Sequence, residues 1–192
     1  MNNLKFQKGF TLLELLVAIS LFVMFMAIAT GGFVKVLRTQ KAMTALMSAN
    51  DNASLALEQM SREMRTGYNF CTKAQPIISI SEGDFPECLE LGDNEIMFVN
   101  VNNEVVSYRL EGRAIERVIK NISSAPIPPD KITGDDVWVR KFNIELLGNG
   151  KGDDYPPRIT IGIEVSPDSD ISYLNDVYTR IQTTISSRIL DS

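Results

Sequence analysis

Apolar residues along the 192-residue chain fall into three successive patterns. The first is continuous: the segment from Phe10 to Val34 carries one charged side chain, Glu14. Its uncharged part, Leu15 to Val34, would extend about 30 Å as a helix, the thickness of a bilayer hydrocarbon core. The second pattern is helical. Ala42, Leu46, Ala49, Ala53, Leu57, Met60 and Met64 recur at spacings of three and four, which places them on one face of an amphipathic helix. The third, after Gly67, alternates with period two and predicts strands.

Prolines and glycines sharpen the boundaries. Residues 33–66 contain neither, and all 8 Pro lie at or after Pro76. The pattern predicts one helix from Thr11 to Thr66, with Arg62 and Arg65 favouring the negative end of its dipole and Gly67 as the C′ residue. Gly31-Gly32 is the weak point, where a kink or local melting is expected. Among the strands, Ile159, Ile161, Ile163 and Val165 alternate with polar residues across Arg158–Ser166, and Phe142, Ile144 and Leu146 do so across 142–146. Glu95–Val101, Glu104–Leu110 and Arg113–Lys120 read as an antiparallel meander turning at Asn102-Asn103 and Glu111-Gly112, dipeptides that tolerate positive φ. Further strands are predicted near 137–147, 157–166 and 176–189, with loops at 121–136 and 148–157. The fold class that follows is α+β.

Charge separates the same regions. Residues 67–192 carry 12 Lys and Arg against 20 Asp and Glu, a formal balance of −8, and no Lys/Arg run interleaved with aromatics. Such a head would repel a phosphate backbone, so nucleic-acid binding is not expected. With no His and only 2 Cys, the chain cannot build a Ser/His or Cys/His catalytic pair or a four-thiolate zinc site. No phosphate loop or nucleophile elbow is present, and no enzymatic activity is expected.

The apolar N-terminal segment has more than one reading. Lys5 and Lys8 precede it, and Ala27-Ile28-Ala29 has the small residues of a secretory cleavage site. Glu14 inside the apolar region and a helical pattern continuing past Ala29 count against that reading. A plain membrane anchor accounts for length and hydropathy but not for Glu14.

The string KGFTLLELLVAISLF, Lys8 to Phe22, closely resembles the class III signal of type IV prepilins and type II secretion pseudopilins. The resemblance implies a leader of residues 1–9, with Lys5 and Lys8 as its charges, removed by a prepilin peptidase between Gly9 and Phe10. Phe10 would then be N-methylated. It implies a transmembrane and filament-core helix over 10–34, an amphipathic helix over 35–66, and a β-rich extracytoplasmic head over 67–192, together a type IV pilin-like fold. Glu14 would pair with the N-terminal amine of a neighbouring subunit during assembly; otherwise it would merely snorkel towards the headgroups. A looser resemblance, in LALEQMSREMRTG (Leu55 to Gly67), Ile96 to Ile119 and Val177 to Leu190, points to the J-type pseudopilins and W-type minor pilins, which help start or cap filaments. Implied partners are the peptidase, other pilins or pseudopilins and an inner-membrane assembly platform. The implied location is the bacterial cytoplasmic membrane, crossed once with the head outside the cytoplasm, and then a filament in the periplasm or at the cell surface. The alternative is a single-pass anchored binding protein that never polymerises.

Lys5, Lys8 and the α-amine face Lys35, Arg38 and Lys41 across the span, so the positive-inside rule does not orient it. Cys71 and Cys88 either stay reduced or form a disulfide. The bond would close a loop of about 18 residues, contribute roughly 3 kcal/mol and indicate an oxidising compartment. Asp135-Asp136 and Asp153-Asp154 lie in Gly-rich loops of the kind in which some pseudopilins bind calcium, but lack EF-hand spacing. Solvated loop charge is the expectation there, and no cofactor or metal is expected. Asn52-Ala53-Ser54 and Asn121-Ile122-Ser123 match the glycosylation sequon by pattern alone. Trp138 and Phe142 are assigned to core or rim packing.

Overall fold

A computed structural model of the protein describes residues 9–74, 91–120, 127–148, 155–167 and 177–188. Lys5, Lys8, Cys88, Asn121, Asp153 and Asp154 lie outside these residues. The architecture is α+β, one long N-terminal helix followed by antiparallel sheets. Helix α1 runs Leu12–Arg65, 54 residues, within one residue of the predicted span at each end. It continues unbroken through Gly31-Gly32, so the local melting expected there as one alternative is absent. Glycine costs a helix about 1 kcal/mol relative to alanine but removes no backbone hydrogen bond, so the hydrogen-bond ladder can run through the pair. The chain forms two compact units, one ending at Met43 and one beginning at Thr44.

In the first unit the helix presents its side chains outward on every side. Leu12, Phe22, Phe25, Ile28 and Phe33 are all more than half exposed. The segment is long and apolar enough to cross a membrane, and none of its most apolar stretch is buried.

The second unit holds the remainder of α1 and eight strands: β1 (Tyr68–Thr72), β2 (Glu95–Val99), β3 (Val105–Glu111), β4 (Ala114–Lys120), β5 (Asp130–Lys131), β6 (Val137–Leu147), β7 (Arg158–Pro167) and β8 (Thr179–Ser186). They form a five-stranded sheet in the order β1-β2-β3-β4-β5 and a three-stranded sheet in the order β6-β7-β8, with every described pairing antiparallel. One core joins the helix to both sheets. Ala49, Ala53, Leu57, Met60 and Met64 meet Phe70, Ile96, Phe98, Val106, Tyr108 and Ile115 of the first sheet. Phe142, Leu146, Ile159, Ile161, Ile163, Val165 and Ile185 of the second belong to the same cluster. Burying each large side chain contributes roughly 1.5–3 kcal/mol. Small residues at Ala49, Ala53 and Ala56 let the helix backbone approach closely. Ala42 and Leu46, part of the predicted stripe, are only half-buried.

The meander exists, with shifted turns. Between β2 and β3 the chain uses residues 100–104, not the two-residue Asn102-Asn103 link. Asn100 Oδ1 accepts hydrogen bonds from the amides of Asn102 and Glu104, at 2.9 and 3.0 Å, and stabilises the longer loop. Asn103 still takes the positive φ of 59°. Between β3 and β4 the link is Gly112-Arg113, one residue later than predicted, with Gly112 at φ 60°. Strands β1 and β5 were not legible as strands.

β6 contains a bulge. Val139 pairs with Val165 and Lys141 with Glu164, leaving Arg140 as the extra residue. The inward positions therefore change phase, from Val137 and Val139 to Phe142 and Leu146, and Arg140 is re-aimed.

The helix C-terminus is closed by the far end of the chain. Arg188 N–H donates to the Arg65 carbonyl at 3.0 Å and the buried Ser187 hydroxyl donates to the Gly67 carbonyl at 2.9 Å. Gly67 stands just past the helix end as predicted, its N–H donating to the Met64 carbonyl at 3.1 Å, but without the positive φ usual at a C′ residue. What it lacks is room: a Cβ would lie 2.6 Å from Phe98 Cδ2 and 3.1 Å from the Val99 carbonyl oxygen.

Candidate processing and assembly site

The start of α1 is built by Thr11. Its hydroxyl oxygen accepts the Glu14 amide at 3.2 Å, and its carbonyl accepts the Leu15 amide at 3.2 Å. Thr11 is thus the N-cap, satisfying one of the donors a helix start leaves unpaired. Thr11-Leu12-Leu13-Glu14 has the spacing of a capping box. The sequence displayed this T-x-x-E pattern, although the sequence reading used Thr11 only as a helix boundary.

The cap puts Gly9 and Phe10 outside the helix. Both are exposed, Phe10 to 83%, in a backbone that is neither helical nor paired to a strand. A protease binds its substrate extended, and Gly9 offers no Cβ to obstruct that approach. Glu14 sits in the first helical turn, where a carboxylate faces the positive end of the helix dipole. Its carboxylate has no hydrogen-bond or ion-pair partner among the described residues. The structure therefore brings Gly9, Phe10 and Glu14 together at one end of the apolar helix. Lys5 and Lys8 cannot be placed.

The head holds two polar assemblies that sequence reasoning missed. In the first, the Glu63 carboxylate of α1 accepts hydrogen bonds from Arg117 (2.5 and 2.9 Å), the Tyr108 hydroxyl (2.5 Å) and Asn100 Nδ2 (3.1 Å). Burial by itself would raise this carboxyl, but the donors from Arg117, Tyr108 and Asn100 outweigh it and hold Glu63 below its ordinary range. Burial, and then the bond to Glu63, push the Tyr108 hydroxyl upward. No periodicity links these four residues, which is why the pattern of the sequence did not reveal them.

The second assembly lies on the outer face of the three-stranded sheet. Arg113 and Arg140 sit 4.6 and 5.1 Å from the Trp138 ring centroid. Arg140 and Arg180 sit 5.8 and 5.3 Å from that of Tyr178. The outward-facing Glu164 and Ser166 are buried beside this ladder. Glu164 accepts from Arg180 at 2.8 Å, and that bond holds its carboxyl low. Trp138 is half-buried against guanidinium groups, and Phe142 is fully buried in the core, both consistent with packing roles.

Of the remaining sequence candidates, Asp136 accepts from Ser48 at 2.8 Å and from Asn52 at 3.2 Å, fastening its loop to the helix. Asp135 pairs with Lys131. Among the described residues no three His, Cys, Asp or Glu are grouped to hold a metal ion. Cys71 is buried on β1 beside Leu91, Met97 and Val105. Asn52 of the first sequon lies on the helix, its amide donating to Asp136.

The geometry defines a protein with an unpaired apolar helix, a capped and accessible junction at its start, and a separately packed α+β head. Residues 4–30 match the family described as the prokaryotic N-terminal methylation motif. The N-terminal segment therefore carries a prokaryotic N-terminal methylation motif, and the match spans the Gly9-Phe10 junction and Glu14. The chain is also similar to a type IV-like pilin from Thermus thermophilus, at 15% identity over 72% of this chain and 96% of that one, with a TM-score of 0.41. No curated protein matches the chain.

Proposed function

We propose that the protein is a subunit of a type IV pilus or type II secretion pseudopilus, stored in the membrane by its apolar helix and assembled after removal of residues 1–9. The observation that carries this reading is the methylation motif at residues 4–30, coinciding with an exposed, non-helical Gly9-Phe10 junction. A prepilin peptidase would cut there and methylate the Phe10 amine. Glu14, four residues on and without a partner of its own, would receive the amine of a neighbouring subunit. A carboxylate in an apolar helix is costly unless paired, and that cost would favour docking of a partner over lateral drift in the bilayer.

The finer role is initiation or capping of the filament, as in J-type pseudopilins or W-type minor pilins. The large head, two sheets on one helix, supports it. The working partners would be the peptidase, other pilins or pseudopilins and an inner-membrane platform. The head would lie outside the cytoplasm, where a Cys71–Cys88 disulfide could form. Glu14→Ala tests the assembly role: cleavage should continue while recovery in sheared filaments is lost. Normal recovery in filaments would refute it.

A further inference from the structure

We propose that Lys35, Arg38 and Lys41 form a docking surface for anionic phospholipid headgroups at the C-terminal end of the apolar span. The inference rests on reading that span as a membrane anchor. All three residues are exposed on α1, and none makes an ion pair among the described residues. Between Glu14 and Asp51 the chain contains no acid, so nothing nearby on the helix neutralises them.

Their spacing makes them one surface. At about 100° per residue the three side chains fall within an arc of roughly 120°, and at 1.5 Å per residue they cover about 9 Å of axis. If Leu15–Val34 fills the hydrocarbon core, Lys35 stands at its boundary and Arg38 and Lys41 stand in the headgroup layer beyond it. Long aliphatic stems let such side chains lie along the apolar surface while the charge reaches phosphate. Each cation near an anionic surface favours association roughly fivefold. An acidic protein neighbour would offer the same sign of charge, but only lipid is continuous with the adjoining apolar span.

Processing makes this band more important. Loss of residues 1–9 takes Lys5 and Lys8 away, leaving Lys35, Arg38 and Lys41 as the cationic cluster beside the span. Mature subunits would keep a single cation, the Phe10 amine, at the other end, so anionic lipid would hold them mainly at this one, and extraction into a filament would have to release those contacts.

The test places a photocrosslinker at Val36 of the full chain, reconstituted into vesicles of mixed phosphatidylglycerol and phosphatidylcholine. Crosslinks should favour phosphatidylglycerol several-fold over its bulk share. The preference should fall to the bulk ratio in K35Q/R38Q/K41Q and shrink at high salt. Crosslinks at the bulk ratio in the unaltered chain, an enrichment unchanged by the triple substitution, or crosslinks mainly to a second copy would each overturn the proposal. Alkaline carbonate extraction of the same vesicles separates the two levels: a retained chain without lipid preference refutes the lipid surface alone, whereas a released chain refutes the anchor as well.

Discussion

Arg117 on β4 holds the Glu63 carboxylate of α1 with Nη2 at 2.5 Å and Nε at 2.9 Å, joining residues 54 positions apart. Both side chains are 18% exposed, so the pair is largely withdrawn from water. Tyr108 and Asn100 fill the remaining acceptor sites, so the buried charge is fully hydrogen-bonded. The helix face beside it is made of Ala, Leu and Met, which could pack in more than one register. A buried, fully bonded pair would favour one of them.

Removing a single partner should therefore cost much more than removing both. Glu63→Ala or Arg117→Ala should destabilise the head by about 3 kcal/mol, because each strands the other charge. Glu63→Leu with Arg117→Met should recover most of that loss. Thermal unfolding of the detergent-solubilised chain and its variants checks this, and additive losses in the double variant would show that the two residues act independently.

The same pair predicts a pH dependence. Glu63 titrates below its ordinary value of 4.5 in the folded chain, so the folded state binds this proton less readily than the unfolded state. The stabilisation is complete above 4.5 and is lost as pH falls through the lowered folded value. The melting temperature should fall more steeply on acidification in the unaltered protein than in Glu63→Gln. Parallel curves would contradict this.

Gly67→Ala should destabilise by about 2 kcal/mol through overpacking. The ring that a methyl would strike, Phe98, is stacked between Phe70 (5.2 Å) and Tyr108 (6.1 Å) and cannot swing aside. Phe98→Leu in the same chain should relieve part of the penalty, so the two losses should be less than additive in melting experiments.

A disulfide between Cys71 and Cys88 would protect both thiols. Alkylation of the membrane-extracted chain under denaturing, non-reducing conditions should add no label, and prior reduction should add two. Loss of the bond should cost roughly 3 kcal/mol. Labelling without reductant would contradict the pairing.

Much of the architecture was legible because burial imposes a period. Ile159, Ile161, Ile163 and Val165 alternate in the sequence and all face the core. The stripe from Ala49 to Met64 is buried as its spacing required. The parts that escaped depend on single atoms rather than on periods. Arg140 breaks the phase of β6 by bulging, and β5 is two residues long, too short to show alternation. Glu63, Arg117, Tyr108 and Asn100 meet only through the fold. The candidate processing segment was legible for a different reason, since Gly9, Phe10, Thr11 and Glu14 lie close together along the chain. Even there the capping role of Thr11 became clear only from the geometry of its hydroxyl.

The central claim concerns the chain's first covalent event, and N-terminal mass analysis of the membrane-extracted protein tests it most directly. The mature chain should begin at Phe10, with the mass of one added methyl group on its amine. A chain that retains Met1, or one cut after Ala29, would contradict the account.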